Sequence, residues 1–284
     1  METPIRKYIP GSQWLYAKIY TGVKTADIIL KEAIQPLLHN LKEEGLIKKW
    51  FFIRYNDPKS HLRIRFELSD TRSFDAVLSQ ITSFLEEYIH SGEISDFRLD
   101  TYEREIERYG AACIEEAEFL FWKSSDLILH EYLHFEDEEK IIVSLFYIEE
   151  MLKSLNLSMA EKLEWIKVSN LAFKKEFHAD KNLNSQLDKK YRTFKPGYLE
   201  FLESEEYLGF RTDILTHITE SAETLQHVKR QYSEKELQYF FQSIFHMNIN
   251  RMFISNQRLF EMIIYDYLYR YYKAIGYKNL DSKN

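Results

Sequence analysis

Polar and apolar residues alternate along "HLRIRFEL" (61–68). In an extended chain His61, Arg63 and Arg65 share one side, and Leu62, Ile64 and Phe66 share the other. The preceding stretch "IKKWFFIRY" (47–55) is also β-prone, and "NDPKS" between the two is turn chemistry. The pair therefore reads as an antiparallel hairpin. "WLYAKIY" (14–20) predicts an earlier strand. Apolar residues three and four apart over 23–44 predict a helix kinked at Pro36 and stopped at Gly45. An Asp cap and a terminal Gly92 bracket a second helix over 70–92, and "ISDFRLDTYE" (94–103) predicts a fourth strand.

The order β-α-β-β-α-β is that of a ferredoxin-like split βαβ unit, with two helices on one face of the sheet and the other face free. His61, Arg63 and Arg65 belong to the free face. From about residue 111 the pattern becomes that of amphipathic helices, except over 175–197, which is polar, weakly patterned and expected to be a loop or partly disordered. The last residues, "NLDSKN", are expected to fray. The expected fold class is α+β: a sheet module over 1–110, then a large helical region over 111–284 that covers the open sheet face, the two packed as one domain.

Composition narrows the function. The net charge of −7 argues against general nucleic-acid binding, which calls for a basic surface. A single cysteine, Cys113, excludes an internal disulfide and fits a reducing cytoplasm; within a helical stretch it reads as a small core residue. The N-terminal stretch lacks the apolar run of a signal peptide, and no stretch approaches the roughly 20 apolar residues of a membrane span. The 20 Tyr and 20 Phe are an unusually large number, and core and core-rim packing is their plain account.

Three clusters are candidates for chemistry. If Arg54 faces the same side as His61, Arg63 and Arg65, one sheet surface holds three guanidinium groups and an imidazole, a receptor for carboxylates. The plain alternative is a solvated face, or ion pairs with acids of the helical region. In "TYEREIERYG" (101–110), Arg104 and Arg108 are four apart, as are Glu103 and Glu107, which also suits ordinary pairs on a helix surface. In "FHMNINRMF" (245–253), His246 and Asn250 lie one helical turn apart beside Arg251, a polar cluster in an apolar helix. A buried histidine with a satisfied partner competes there with a general acid or base. No metal-ligand spacing, phosphate-binding loop or dinucleotide fingerprint occurs, so no metal or cofactor is expected.

"WLYAKIY", "FFIRYNDPKSHLRIRF", "YEREIERYG" followed by "AEFLF", and "HMNINRM" together resemble the C-terminal, glutamate-eliminating domain of lantibiotic dehydratases, which also occurs free-standing in thiopeptide-type bacteriocin biosynthesis. The resemblance runs from about residue 12 to 275. It departs at Gly110-Ala111, where the family has two glycines, and at Ser124-Ser125, where the family tends to Asp-Ser. It implies β-elimination of glutamate from glutamylated Ser or Thr of a precursor peptide, giving dehydroalanine or dehydrobutyrine. It also implies a separate glutamyl-tRNA-dependent glutamylation protein as partner, and no direct contact with nucleic acid. It carries catalytic roles onto Arg65, Arg108 and His246, with Arg104 competing with Arg108 and with His246 either taking the Cα proton or protonating the leaving group. Arg54, His61, Arg63, Arg104, Asn250 and Arg251 are then candidates for substrate binding. Two other readings stay open: a thiopeptide pyridine synthase joining two dehydroalanines by a [4+2] cycloaddition with leader release, and a non-catalytic subunit that binds the precursor peptide.

Overall fold

The structure, a computed structural model, describes residues 4–281. It is α+β and mostly helical, with a small antiparallel sheet. In chain order its elements are β1 (Lys7–Tyr8), β2 (Trp14–Thr21), α1 (Thr25–Ile29), α2 (Gln35–Glu43), β3 (Ile47–Asn56), β4 (Ser60–Leu68), α3 (Phe74–His90), β5 (Ile94–Leu99), β6 (Tyr102–Glu103), α4 (Ile106–Tyr109) and α5 (Ile114–Leu127). The helices α6 (Asp137–Ser154), α7 (Met159–Glu176), α8 (Lys181–Glu203), α9 (Leu208–Glu220), α10 (Ala222–Gln231), α11 (Glu234–Met252) and α12 (Gln257–Asp281) follow. None of the helices among the described residues is long and apolar enough to cross a membrane. Of the C-terminal residues expected to fray, those up to Asp281 lie in α12, and 282–284 lie outside the described residues.

The chain forms two compact units, Met1–His134 with Asn250–Ser255, and Phe135–Ile249 with Asn256–Asn284. Helical structure does take over near residue 110, as the pattern predicts. The first unit nevertheless continues past the expected 110/111 boundary, because α5 lies along β3. The Ser125 hydroxyl accepts from the Phe52 N–H (3.2 Å), and Phe121 packs on Phe51 (5.4 Å between ring centroids).

In the first unit the strands run in the order β3-β4-β2-β5, each antiparallel to its neighbours. Residues paired directly across strands share a face. One face therefore carries Leu15, Ala17, Ile19, Trp50, Phe52, Leu62, Ile64 and Phe66, all essentially inaccessible. Ile29, Leu37, Leu41, Val77, Ile81 and Leu85, from the helices that follow β2 and β4, complete the buried apolar core. Pro36 does not simply kink its helix. A turn of π-helix, Leu30–Ile34, comes just before it, and the proline sits in the first turn of α2. The wider turn ahead of it relieves the clash of its ring with the preceding carbonyl.

An edge strand leaves backbone groups unpaired, and β3 is such a strand. Side chains close it here. Asn250 donates to the Arg54 carbonyl and accepts from the Arg54 N–H (both 2.9 Å), and the Arg251 Nε donates to the Phe52 carbonyl (2.7 Å). Asn250→Ala leaves both Arg54 backbone groups without these partners, and we expect it to destabilise the protein by about 2 kcal/mol, measured by urea denaturation at unchanged m-value.

In the second unit the expected loop at 175–197 is largely helix. Helix α8 buries Leu187, Tyr191, Phe194, Tyr198 and Phe201, spaced four, three, four and three. One large side chain per turn anchors it, and the intervening Asp, Lys, Arg, Thr and Glu residues conceal the period. Buried carboxylates here are matched by cations. Lys162 (3.0 Å) and the Tyr272 hydroxyl donate to Glu149, and Lys174 (2.7 Å) and Arg270 (2.6 Å) pair with Asp266.

Candidate functional site

The hairpin turn decides which side chains share the basic row. Tyr55 pairs with His61, Ile53 with Arg63 and Phe51 with Arg65, so Arg54, opposite Leu62, lies on the other face of the sheet. The expectation that Arg54 joins the row is corrected by this register. Arg54 is buried, pairs with Asp27 (2.5 Å) and donates from Nε to the Arg251 carbonyl (2.9 Å). Burial lowers its pKa, and Asp27 opposes that shift.

On the row itself, His61 is buried and stacks on Tyr20 (4.6 Å). Its Nδ1 meets the Lys59 carbonyl at 2.8 Å, and its Nε2 accepts from the Arg63 Nε at 3.0 Å. This pattern is that of a neutral ring with its proton on Nδ1. Burial depresses the His61 pKa, which agrees. The Arg63 guanidinium lies over the Tyr55 ring at 3.4 Å.

Arg65 is in a different setting. Its guanidinium is walled by three rings, Tyr16 at 4.3 Å, Tyr102 at 4.8 Å and Phe51 at 5.2 Å. The residue is 9% exposed, yet no carboxylate among the described residues pairs with it, and its Nε is sealed without a hydrogen-bond partner. Arg65 is thus a nearly buried cation faced by aromatic rings and committed to no carboxylate among the described residues.

The two arginines of the 101–110 segment separate clearly. The chain turns after β5, and β6 pairs with β1, aligning Tyr102 with Tyr8. Arg104 then turns inward and grips Glu118 with two bonds, Nε to Oε1 and Nη2 to Oε2, both 2.7 Å. Tyr102 adds its hydroxyl to Oε1 at 2.7 Å. Burial alone would lower the Arg104 pKa; the bond and charge of Glu118 outweigh it and raise it. Burial, reinforced by Glu118, pushes the Tyr102 phenol well up, so it stays a donor. Arg108 instead lies in the one-turn helix α4, a third exposed, with its Nη1 3.4 Å from Glu105. Gly110 ends that turn at φ 73°, ψ 147°, a conformation suited to glycine. Ala111 follows outside it, so replacing the family's second glycine leaves this turn intact.

In the second unit, the His246 Nδ1 lies 3.0 Å from Oε1 of Glu261, which is 2% exposed. The Arg258 Nη1 donates to the other oxygen of Glu261 at 2.8 Å. The His246 side chain is 26% exposed.

The structure thus gathers His61, Arg63 and Arg65 on one sheet face. It uses Arg104 in a buried ion pair, and Arg54, Asn250 and Arg251 in closing and bracing β3. Cys113 is buried, as expected. The residues missed from sequence are the Tyr16, Phe51 and Tyr102 walls, Glu118 and Glu261. The last two did carry a signal, a lone acid within the apolar runs "AEFLF" and "RLFEMII".

Residues 14–272 match the family described as lantibiotic biosynthesis dehydratase, C-terminal. The subtilin biosynthesis protein SpaB of Bacillus subtilis is 24% identical over 265 residues, 90% of this chain and 25% of that protein. The chain spans about a quarter of the length of the curated relatives it matches. Among solved structures, the tRNA-dependent lantibiotic dehydratase MibB from Microbispora sp. 107891 superposes with a TM-score of 0.69 at 18% identity, covering 100% of this chain and 29% of that one. The pyridine synthase TbtD, from thiomuracin biosynthesis, gives 0.59 at 11% identity, covering 93% of this chain and 100% of that one. At these identities the two structures are alike in fold.

Proposed function

The chain belongs to the lantibiotic biosynthesis dehydratase C-terminal family, and on that premise we propose that it is a lyase that eliminates glutamate from glutamylated Ser and Thr residues of a ribosomally made precursor peptide. The substrate would come from a glutamyl-tRNA-dependent glutamylation protein, and the work would be done in the cytoplasm. The sheet module is read as ferredoxin-like on the strength of its strand order.

The observation that carries the proposal is the Arg65 guanidinium, caged by Tyr16, Phe51 and Tyr102 and matched by no carboxylate of the described chain. In the reaction a base removes the Cα proton, the Cα=Cβ bond forms, the Cβ–O bond breaks, and glutamate leaves as a carboxylate. Electrons and atoms balance without a redox partner. Negative charge gathers first on the peptide carbonyl and then on the leaving oxygen. Fixed cations stabilise that transition state more than the ester ground state. Arg65 and Arg108 are assigned to those oxygens and His246 to proton transfer. His61 and Arg63, on the same sheet face as Arg65, are assigned to substrate binding.

Mass spectrometry of a glutamylated precursor incubated with the protein tests this. Free glutamate together with a peptide lighter by one water per modified site, relative to unmodified precursor, is the expected result. The second reading, pyridine synthesis, draws on the full-length likeness to TbtD. It predicts a macrocycle and released leader from a dehydroalanine-containing precursor, with no glutamate. Binding of the precursor without any mass change would favour the non-catalytic subunit.

A further inference from the structure

The Nδ1 of His246 meets a carboxylate oxygen of Glu261 at 3.0 Å, while the Arg258 Nη1 donates to the other oxygen at 2.8 Å. A carboxylate offers acceptors only. Held from one side by a guanidinium, Glu261 is an acceptor on its other side as well, and the shared proton belongs to Nδ1. The Nε2 of the same ring has no partner among the described residues, and the ring is partly exposed. We infer that Glu261 is a positioning residue: it holds the His246 ring through a proton on Nδ1, so that Nε2 is what the substrate meets.

This rests on the elimination reading and deepens it. Held in this way, the ring when neutral has its lone pair on Nε2, so His246 takes the Cα proton at Nε2, and the resulting imidazolium keeps its Nδ1–H bond to Glu261. Protonation of the leaving group would need the opposite resting form. The lock is itself braced. Arg258 also pairs with Glu176 of α7 and lies over the Phe173 ring at 4.5 Å, so Glu261 cannot easily turn away from the imidazole. The titratable groups near the pair are Arg258 and Tyr265 of α12 and Glu176 of α7.

The test reads the tautomer directly. Long-range ¹H–¹⁵N spectra of the histidine-labelled full chain at about pH 8.5, where ordinary histidines are neutral, are assigned by the loss of signals in His246→Asn. The wild-type ring is expected to carry its proton on Nδ1. Glu261→Gln offers an amide that can donate to Nδ1 instead, so the proton is expected to move to Nε2. In that variant kcat on glutamylated peptide is expected to fall about a hundredfold or more while KM stays within about threefold. Glu261→Asp, which retains the carboxylate, is expected to keep the wild-type tautomer and recover part of kcat. Arg258→Gln is expected to keep the tautomer as well.

A wild-type ring protonated on Nε2 overturns the inference. So does an equal loss of activity in Glu261→Gln and Arg258→Gln with the tautomer unchanged in both, which would make Glu261 a structural residue only. Because the tautomer is read without substrate, the two claims separate. A protein that releases no glutamate but whose tautomer behaves as stated overturns the elimination reading and supports the positioning role.

Discussion

Arg65→Lys is expected to slow glutamate elimination about a hundred- to thousandfold, a loss of about 3–4 kcal/mol of transition-state stabilisation, while leaving the protein folded. The cage around Arg65 is built for a flat, delocalised cation, with ring centroids at 4.3, 4.8 and 5.2 Å. A lysine ammonium is a compact, strongly hydrated charge that presents no planar fork and neutralises more readily when dehydrated. Stability is expected to change little, because no carboxylate of the described chain relies on Arg65 for its charge. Time courses by mass spectrometry check the rate, with glutamylated peptide expected to accumulate, and a thermal melt checks the fold. Turnover within threefold of wild type would remove Arg65 from the chemistry and with it the main support for the elimination reading.

The different settings of Arg65 and Arg54 could not be read from spacing. Alternation along 61–66 put His61, Arg63 and Arg65 on one face, and the structure has them there because side-chain direction in a strand is purely local. The face of Arg54 depended on something non-local, the register across the hairpin. One residue more or fewer in the turn exchanges the faces of an entire strand. With Tyr55 opposite His61, Arg54 falls on the core side. The ambiguity at 101–110 has a similar origin. Arg104 and Arg108 are equivalent in a continuous helix, but the backbone is a two-residue strand up to Glu103 and a one-turn helix only from Ile106. Arg104 therefore points at Glu118, a residue from a helix whose direction no local pattern reveals. Helix α8 was obscured for a third reason: its apolar stripe is one residue wide, and burial of five large side chains outweighs the polar majority around them. His246 was legible as a histidine in an apolar helix, whereas its partner Glu261 arrives from the next helix.

The largest stability effect is expected at Glu118. Glu118→Ala should destabilise the protein by about 3–5 kcal/mol, because it strands a buried guanidinium. Arg104 is 4% exposed and loses both of its 2.7 Å bonds to Glu118, and Tyr102, 5% exposed, loses its acceptor in the same step. Glu115, 3.8 Å from the Arg104 Nη2 and mostly exposed, is too distant and too hydrated to take over. Replacing both members, as in Arg104→Met/Glu118→Leu, removes the orphaned charge and should recover most of the loss, since a buried ion pair is often no more stabilising than apolar packing of similar volume. Urea denaturation of the two single variants and the double variant measures the coupling. Near-additive losses would mean that the two side chains act independently and that solvent reaches Arg104 once Glu118 is gone. The same network bears on Arg65, because the Tyr102 ring that Glu118 anchors is one wall of its cage. In the double variant that wall loses its hydroxyl tether while the sheet is kept. Stability restored without full elimination activity would therefore show that the ion pair matters beyond folding, by holding an aromatic ring against the Arg65 guanidinium.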